Sequence, residues 1–210
     1  MFSEKLDILE RENLLRNIMD RSSAQGHRIK IRGREYINFA SNDYLGLASN
    51  LYVREKAKDA VDPYGFGSGA SRLLGGGCDL HAELEKRVAA FKRTESALVF
   101  NSGYALNTGA IPSIADVETA IFSDELNHAS IIDGCRLSRA KIHIYRHKDV
   151  SHLKDLMSKE SSGRRIVVTD TVFSMDGDLA PLTGIHEICK EYGAMLYIDD
   201  AHGTGVIGKG

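Results

Sequence analysis

Residues 165–199, RIVVTDTVFSMDGDLAPLTGIHEICKEYGAMLYID, contain the pattern that decides the fold class. Two short apolar runs, at 165–170 and 194–199, predict buried strands. Between them, residues 181–192 have the apolar spacing of a helix. A strand, a helix and a second strand in this order are typical of a unit whose two strands run parallel.

The same alternation extends from this unit toward the N-terminus. Strands are predicted at 96–100, 118–124 and 141–145, and helices at 79–93, from 105 onward, at 128–138 and at 149–158. Asp79 is the expected cap of the helix over 79–93. We therefore expect an α/β fold with a mostly parallel central sheet flanked by helices.

The first 60 residues follow a different pattern. An amphipathic helix is predicted over 3–19, and alternating runs on either side of Arg32-Gly33-Arg34 predict a hairpin. A further helix is predicted over 50–61, and a glycine-rich loop follows from Tyr64 to Gly77. We therefore expect an N-terminal segment over 1–60 and an α/β domain over 61–210.

Composition and charge exclude several classes of protein. The chain has 27 Lys and Arg against 29 Asp and Glu, so a nucleic-acid partner is not expected. No apolar run approaches the roughly 20 residues of a membrane span, so no membrane partner is expected either. The three cysteines form no CxxC pair, and the N-terminus has no signal-peptide pattern, which favours a reduced, cytoplasmic protein.

A metal site is not expected. Asp176 and Asp178 are spaced like the first ligands of a calcium loop. Such a loop also needs an oxygen ligand at its fifth position and a glycine at its sixth, where this chain has Ala180 and Pro181.

Polar and glycine-rich clusters follow four of the predicted strands. They are Asn101–Tyr104, Asp124–Ser130, Thr171–Asp178 and Asp199–His202. Ligands of parallel sheets bind at the carboxyl ends of the strands, so this clustering predicts a cofactor site. The GxGxG run at 65–69 does not predict a dinucleotide loop, because no strand precedes it; it is either a flexible loop or a loop that faces substrate.

Three of these clusters contain residues suited to hold a ligand, although each also has a simpler interpretation. Gly103 lies just before a predicted helix, where free N–H groups attract anions and the glycine lets the backbone approach a ligand, or it only serves a strand-to-helix turn. His128 can stack on an aromatic cofactor or cap a helix. Asp199 leaves an apolar strand, where a carboxylate needs a cationic partner: a protonated pyridine ring, or a structural ion pair.

Seven motifs, in this order, resemble those of the α-oxoamine synthases. They are NFASNDYLGL, GFGSGASRLLGG, HAELE, SGYALN, NHASIIDG, FSMDGD and YIDDAHGTG. Members of that family are pyridoxal 5'-phosphate (PLP) enzymes of fold type I that condense an amino acid with an acyl thioester and release CO2. The resemblance implies the large domain of that fold, a PLP cofactor and a homodimer.

The resemblance also implies roles for individual residues. Gly103 and Tyr104 would offer backbone groups to PLP, and His128 would stack on its ring and meet the substrate. Asp199 would pair with the ring nitrogen, and Ser174 and His202 would hydrogen-bond the cofactor. Arg16 and Asn42 would contact substrate. His128 and Asp199 are thus the expected catalytic residues.

Within the family, the GSGASRL form of the glycine loop favours the branch that acts in biotin biosynthesis. That branch joins L-alanine to a pimeloyl thioester, carried by CoA or by acyl carrier protein. The alternative is the threonine-catabolic branch (glycine C-acetyltransferase), to which NHASIIDGCRL is close.

The family's Schiff-base lysine and small C-terminal domain have no counterpart in this chain. The resemblance places that lysine about 30 residues after the aspartate of DDAH, whereas this chain continues for 11 residues after Asp199, and Lys209 comes too early. We therefore expect the chain by itself to be inactive, and either part of an acyltransferase or a non-catalytic PLP-binding fragment or subunit.

Overall fold

The computed structural model describes residues 2–208. The chain divides into two compact units, Met1–Gly67 and Ser68–Gly210, which are described separately.

The first unit contains two helices and a hairpin: α1 (Phe2–Arg11), β1 (Arg28–Ile31), β2 (Arg34–Ile37) and α2 (Leu51–Tyr64). The predicted hairpin is confirmed, with β1 and β2 antiparallel. Its turn residues Arg32 and Gly33 have φ angles of 49° and 77°, as a two-residue type I′ turn requires. Helix α2 begins after Asn50, whose side chain accepts a hydrogen bond from the Val53 N–H.

The helix predicted over 3–19 is wrong beyond Arg11. Asn13 has a φ of 56°, a left-handed conformation that commonly ends a helix. The N–H groups of both Leu14 and Leu15 then turn back to the carbonyl of Leu9. Ile18 is 91% exposed, so the apolar spacing beyond Arg11 does not form a buried face.

The second unit is a layered α/β structure. Its elements are α3 (Asp79–Lys92), α4 (Gly103–Ile114), β3 (Thr119–Asp124), α5 (Ala129–Ser138), β4 (Lys141–Tyr145), α6 (Val150–Lys159), β5 (Arg164–Asp170), α7 (Leu182–Tyr192) and β6 (Met195–Asp199). The strands form one sheet in the order β4-β3-β5-β6, and every neighbouring pair is parallel. The expected parallel α/β sheet is confirmed.

Two hydrophobic cores lie on opposite faces of this sheet, because side chains along a strand alternate between its faces. Phe122 and Val167 belong to one core, together with residues of α6 and α7. Ile121 and Val168 belong to the other core, together with residues of α4 and α5. Helices α4 and α5 approach closely at Gly134, where a Cβ atom would lie 2.5 Å from the Asn107 carbonyl oxygen.

The strand predicted at 96–100 is wrong, since this segment is irregular. Within residues 2–208 no strand pairs with it, and the Val99 N–H donates instead to Glu85 Oε1 at 2.9 Å. Leu98 is consequently 65% exposed. An apolar run becomes a strand only where a neighbouring backbone supplies hydrogen bonds.

The cap expected for α3 is displaced by one residue. Cys78 occupies the N-cap position, and Asp79 is the first residue of the helix. The Cys78 N–H donates to His81 Nδ1 at 3.2 Å. Asp79 thus lies in the first turn, where its negative charge interacts favourably with the helix dipole. None of the helices in residues 2–208 has the length and apolar character needed to cross a bilayer.

Candidate functional site

Three strands of the sheet end in an aspartate: Asp124 in β3, Asp170 in β5 and Asp199 in β6. Because the strands are parallel, these side chains lie at the same edge of the sheet. Asp170 and Asp199 are direct partners in the register of β5 and β6. This edge therefore concentrates negative charge where ligands of such sheets bind.

The N-terminus of α4 is the second part of the candidate site, because Asn107 in this helix contacts Asp199. Ser102 caps the helix, its Oγ accepting from the Ala105 N–H at 3.1 Å. Among residues 2–208, the N–H groups of Gly103 and Tyr104 have no hydrogen-bond partner. A Cβ atom at Gly103 would meet nothing within 4 Å, so the space in front of the helix is open. Free N–H groups at a helix N-terminus suit an anionic group.

The Tyr104 side chain has a separate contact. Its hydroxyl donates to Asp133 Oδ2 at 2.8 Å, which raises the pKa of Tyr104. The Tyr104 hydroxyl is therefore occupied, whereas the Tyr104 backbone N–H has no partner among residues 2–208.

Asn107 is the hub of a buried hydrogen-bond network, and its side chain is 1% exposed. Its Nδ2 donates to Asp199 Oδ2 at 2.8 Å and to Ser130 Oγ at 2.9 Å. Its Oδ1 accepts from the Tyr197 hydroxyl at 2.7 Å. Burial raises the pKa of Tyr197 to about 12, so the phenol keeps its proton and donates. The amide orientation is thereby fixed, with nitrogen toward Asp199.

The Asp199 carboxylate is half-buried and held from two sides. Oδ1 accepts from the Ala201 N–H at 3.1 Å, and Oδ2 accepts from Asn107. Within residues 2–208 no Lys or Arg forms an ion pair with it, although a buried carboxylate favours a cationic partner. A carboxylate has about four acceptor positions, so Asp199 can still bind such a partner.

His128 is the N-cap of α5, and its ring is exposed. The His128 backbone N–H donates to Asp170 Oδ2 at 2.8 Å. Its Nδ1 accepts from the Ser130 N–H at 3.2 Å and lies 2.7 Å from Ser130 Oγ. Since Nδ1 accepts, these contacts select the tautomer with the proton on Nε2. Ser130 thus joins His128 to Asn107, and through Asn107 to Asp199.

Asp170 is a buried carboxyl beside Asp199. Burial raises the pKa of Asp170; the hydrogen bond from the His128 N–H opposes this rise, and the charge of Asp199 adds to it. Asn127 holds the backbone here, because its Oδ1 accepts from the Asp170 N–H at 3.0 Å. Two carboxyls at adjacent strand ends repel each other when both are ionised, which disfavours a second negative charge beside Asp199.

Ser174 lies in the Thr171–Ala180 loop that follows β5, and it is exposed. The loop begins with the Thr171 N–H donating to the Asp199 carbonyl at 2.8 Å, and it is anchored by Phe173, which is 2% exposed. His202 is half-buried and lies three residues beyond Asp199. Both residues therefore belong to segments joined to the β6 end.

The remaining expected residues lie elsewhere. Arg16 is exposed in the irregular segment after α1, and Asn42 is exposed, with Oδ1 3.4 Å from the Tyr44 hydroxyl. Both belong to the first unit, and their substrate roles stay predictions. Lys209 lies outside the described residues.

Two of the three cysteines, Cys135 and Cys189, are buried thiols of low reactivity. All three are free, and burial raises the pKa values of Cys135 and Cys189 to about 11. In the part of the chain that the structure describes, no group of three His, Cys, Asp or Glu side chains could hold a metal ion. Thiols with raised pKa values are poor nucleophiles.

The sequence analysis did not assign roles to Asn107, Ser130, Asp170 and Tyr197. A signal for Asn107 was present, because it precedes the buried Ile111 by four residues and so lies on the apolar face of α4. Tyr197 is two residues from Asp199 in a strand, which places both on one face. A polar side chain on a buried face needs a partner, and here the partner is part of the site.

Known proteins resemble this chain in sequence and structure. Residues 34–210 match the family described as aminotransferase class I and II. The 8-amino-7-oxononanoate synthase of Citrifermentans bemidjiense is 52% identical over 99% of this chain and 53% of its own length. The serine palmitoyltransferase of Sphingomonas wittichii has a TM-score of 0.91 at 32% identity, covering 99% of this chain and 53% of that chain.

A second similar solved structure contains a bound ligand. The serine palmitoyltransferase of S. paucimobilis, with bound PLP and myriocin, has a TM-score of 0.88 at 29% identity over 95% of this chain and 52% of that chain. The chain therefore spans about half the length of the proteins it matches.

Proposed function

The chain belongs to the aminotransferase class I and II family, and from that premise we propose that it supplies the PLP-holding part of an acyltransferase. The proposed reaction condenses L-alanine with a pimeloyl thioester, with loss of CO2, to give 8-amino-7-oxononanoate. The 52% identity to a protein of that name supports this choice over the threonine-catabolic alternative. The proposed enzyme is a cytoplasmic homodimer.

The residues at the sheet edge fit the charges of PLP. The cofactor has an anionic phosphate at one end and a ring nitrogen that is cationic when protonated. The free N–H groups of Gly103 and Tyr104 suit the phosphate, and the Asp199 carboxylate has no cationic partner among residues 2–208. This cofactor needs both an anion site, here at the start of α4, and an uncompensated carboxylate, here at the end of β6; Asn107 of α4 joins the two.

Each residue would then have one task in holding the cofactor. Gly103 and Tyr104 would bind the phosphate by their N–H groups, and the His128 ring would lie against the pyridine ring. Ser174 and His202 would hydrogen-bond its polar substituents. Asp199 would keep the proton on the ring nitrogen, while Asn107 and the Ala201 N–H hold its carboxylate in one orientation.

When bound, PLP supplies an electron sink for charge that develops at the α-carbon of the amino acid. Asp199 strengthens that sink by stabilising a protonated ring nitrogen. His128, with its proton on Nε2, can donate a hydrogen bond to the carboxylate of L-alanine. The α-proton would be removed by a lysine that this chain does not contain, in a longer chain of the relatives' length. Pimeloyl-CoA and pimeloyl-acyl carrier protein are the two acyl donors to compare.

The observation that carries this proposal is the Asp199 carboxylate, oriented by Asn107 and lacking a cation among residues 2–208. The first test is a PLP titration of the 210-residue chain, followed by absorbance. We expect weak, reversible binding, and no mass increase at a specific lysine after borohydride reduction. Absence of saturable binding, or a covalent link to one lysine, would contradict the proposal.

The second test uses a chain extended to the length of the relatives. Asp199→Asn should lower kcat by at least about tenfold, and more than it lowers PLP affinity, because the charge on the ring matters most in the transition state. The matched control is Asp176→Asn, an exposed loop carboxylate, which should leave both unchanged. Turnover of L-alanine with a pimeloyl thioester, against glycine with acetyl-CoA, separates the two branches.

A further inference from the structure

His147 lies in a cluster of charges that the proposed reaction does not use. It follows β4, and its ring bridges two carboxylates from different segments. Nδ1 is 2.9 Å from Asp124 Oδ1 at the end of β3, and Nε2 is 3.0 Å from Asp178 Oδ2 in the Thr171–Ala180 loop. The ring also packs edge-on against Phe173, with centroids 4.4 Å apart. One side chain thus connects the sheet edge to the loop that carries Ser174.

The two ends of this bridge are held differently. Asp124 is buried, and it also accepts from the N–H groups of Leu126 and Lys148. Among residues 2–208, the Asp178 carboxylate receives only side-chain donors, from His147 and Lys148, and both bind Oδ2. Its Oδ1 is buried without a hydrogen-bond partner in the described part of the chain. The loop end of the bridge therefore depends on His147 and Lys148.

Only an imidazolium can donate to both carboxylates at once, since a neutral imidazole has a single N–H. The other charged groups nearby are Glu125, which accepts from the backbone N–H of His147, and the pair Arg146 and Asp149, which bind each other. Burial lowers the pKa of His147, but the hydrogen bonds and charges of Asp124 and Asp178 outweigh it and raise the pKa above its usual value.

We propose that His147 in its protonated form is a positioning residue, which fixes the Thr171–Ala180 loop, and with it Ser174, by bridging Asp124 and Asp178. The link from Ser174 to the cofactor rests on the proposed function; the bridge itself does not. His147 touches neither substrate nor cofactor in this assignment, and it acts through the loop.

The proposal fixes the direction of a pH effect. A histidine whose pKa is raised by folding stabilises the folded state fully below about pH 6.5. That stabilisation is lost as the pH rises through the folded pKa of His147. The loop should therefore loosen on the alkaline side, with Lys148 as the remaining donor to Asp178.

Hydrogen exchange of the 210-residue chain, without cofactor, tests the bridge. The reporters are the loop amides of Phe173, Gly177 and Ala180, which bond to carbonyls within the loop. After correction for intrinsic rates, their protection should fall about tenfold between pH 6 and pH 9, because a hydrogen bond to a charged group is lost. In His147→Gln it should be low at every pH. The matched control His186→Gln, at an exposed histidine of α7, should behave like the wild type.

A second variant keeps the test valid where His147→Gln does not fold. Asp178→Asn lets a neutral ring satisfy both partners, so loop protection should become independent of pH and the pKa of His147, read by NMR, should fall. Protection that depends on pH as in the wild type in either variant would overturn the proposal. So would a His147 pKa at or below 6.5.

PLP affinity links the bridge to the site. His147→Gln should weaken PLP binding severalfold, and His186→Gln should not. If the wild-type chain binds no PLP, the proposed function fails while the exchange data still decide the bridge. If the loop loosens in His147→Gln but PLP affinity is unchanged, the cofactor contact proposed for Ser174 is overturned, while the bridge stands on the exchange data.

Discussion

Replacing Asn107 by leucine removes the hub of the site network while keeping the side-chain volume similar. Three partners then lose a hydrogen bond: the Asp199 carboxylate, the Ser130 hydroxyl and the Tyr197 phenol. Asp199 and Tyr197 are half-buried, so water can replace part of what they lose. The Ser130 hydroxyl is buried and, within residues 2–208, keeps only its contact with His128.

The expected loss in the free energy of unfolding is about 3 kcal/mol. A bond to a charged group contributes about 1.5–3 kcal/mol and a neutral one about 1 kcal/mol. The three bonds therefore sum to about 4 kcal/mol, and hydration of Asp199 and Tyr197 recovers part of this. Leucine gains little in return, because the pocket is lined by polar atoms.

Urea unfolding of the 210-residue chain measures this loss. The control is Thr108→Ala on the same helix, whose hydroxyl bonds only carbonyls of its own helix. It should change stability by less than about 0.5 kcal/mol. The double variant Asn107→Leu/Asp199→Asn should lose at least about 1 kcal/mol less unfolding free energy than the two single variants lose together. The reason is that both substitutions act on the same bond, between Asn107 and Asp199. A loss below about 1 kcal/mol for Asn107→Leu, or strict additivity, would refute the network.

Two further predictions concern positions outside the site. Glu160 is buried, and donors led by the Ser162 N–H and followed by Lys141 and His143 hold its pKa well below the usual range. Glu160→Gln should lower the free energy of unfolding by about 2 kcal/mol at pH 7. This difference should shrink as the pH falls below about 4. A carboxylate whose pKa is lowered by folding stabilises the folded state fully only above its pKa in the unfolded chain. A constant difference between the two proteins from pH 7 to pH 3 would contradict this prediction. Gly134→Ala should lower the free energy of unfolding by about 2 kcal/mol, since the added Cβ would clash with the Asn107 carbonyl. Thermal unfolding measures this loss, with Gly109→Ala as the control. The Cβ of that variant would meet Phe100 at 3.6 Å, so its free energy of unfolding should be unchanged or higher by up to about 1 kcal/mol. Equal effects of the two substitutions would contradict the prediction.

The parallel sheet could be predicted from sequence because its apolar strands and helices alternate without interruption from residue 118 to residue 199. Two elements were wrong for different physical reasons. The helix over 3–19 had the right apolar spacing, but Asn13 adopts a left-handed conformation and ends it. The run at 96–100 had strand composition, but a strand also needs a partner, and none among residues 2–208 pairs with it. Local pattern specifies what a segment can form, and tertiary pairing decides whether it does.

The candidate site shows a related division between residues that face a ligand and residues that hold them. Gly103, His128 and Asp199 stand at element ends, where the order of strands and helices is enough to locate them. Asn107 and Tyr197 lie inside elements, and their importance depends on a contact between α4 and β6 that is about 90 residues apart in sequence.

That long-range contact has a chemical consequence for the proposed reaction. Asp199 could keep a ring nitrogen protonated only if its carboxylate holds one orientation, and a half-buried carboxylate at a strand end has several. Asn107 removes that freedom, because Tyr197 fixes the amide oxygen and so aims the amide nitrogen at Oδ2. The same amide donates to Ser130 Oγ, which lies against Nδ1 of His128 beside the Ser130 N–H that selects the tautomer. The two residues expected to meet the cofactor are therefore linked by one buried side chain, and a change at Asn107 should perturb both together.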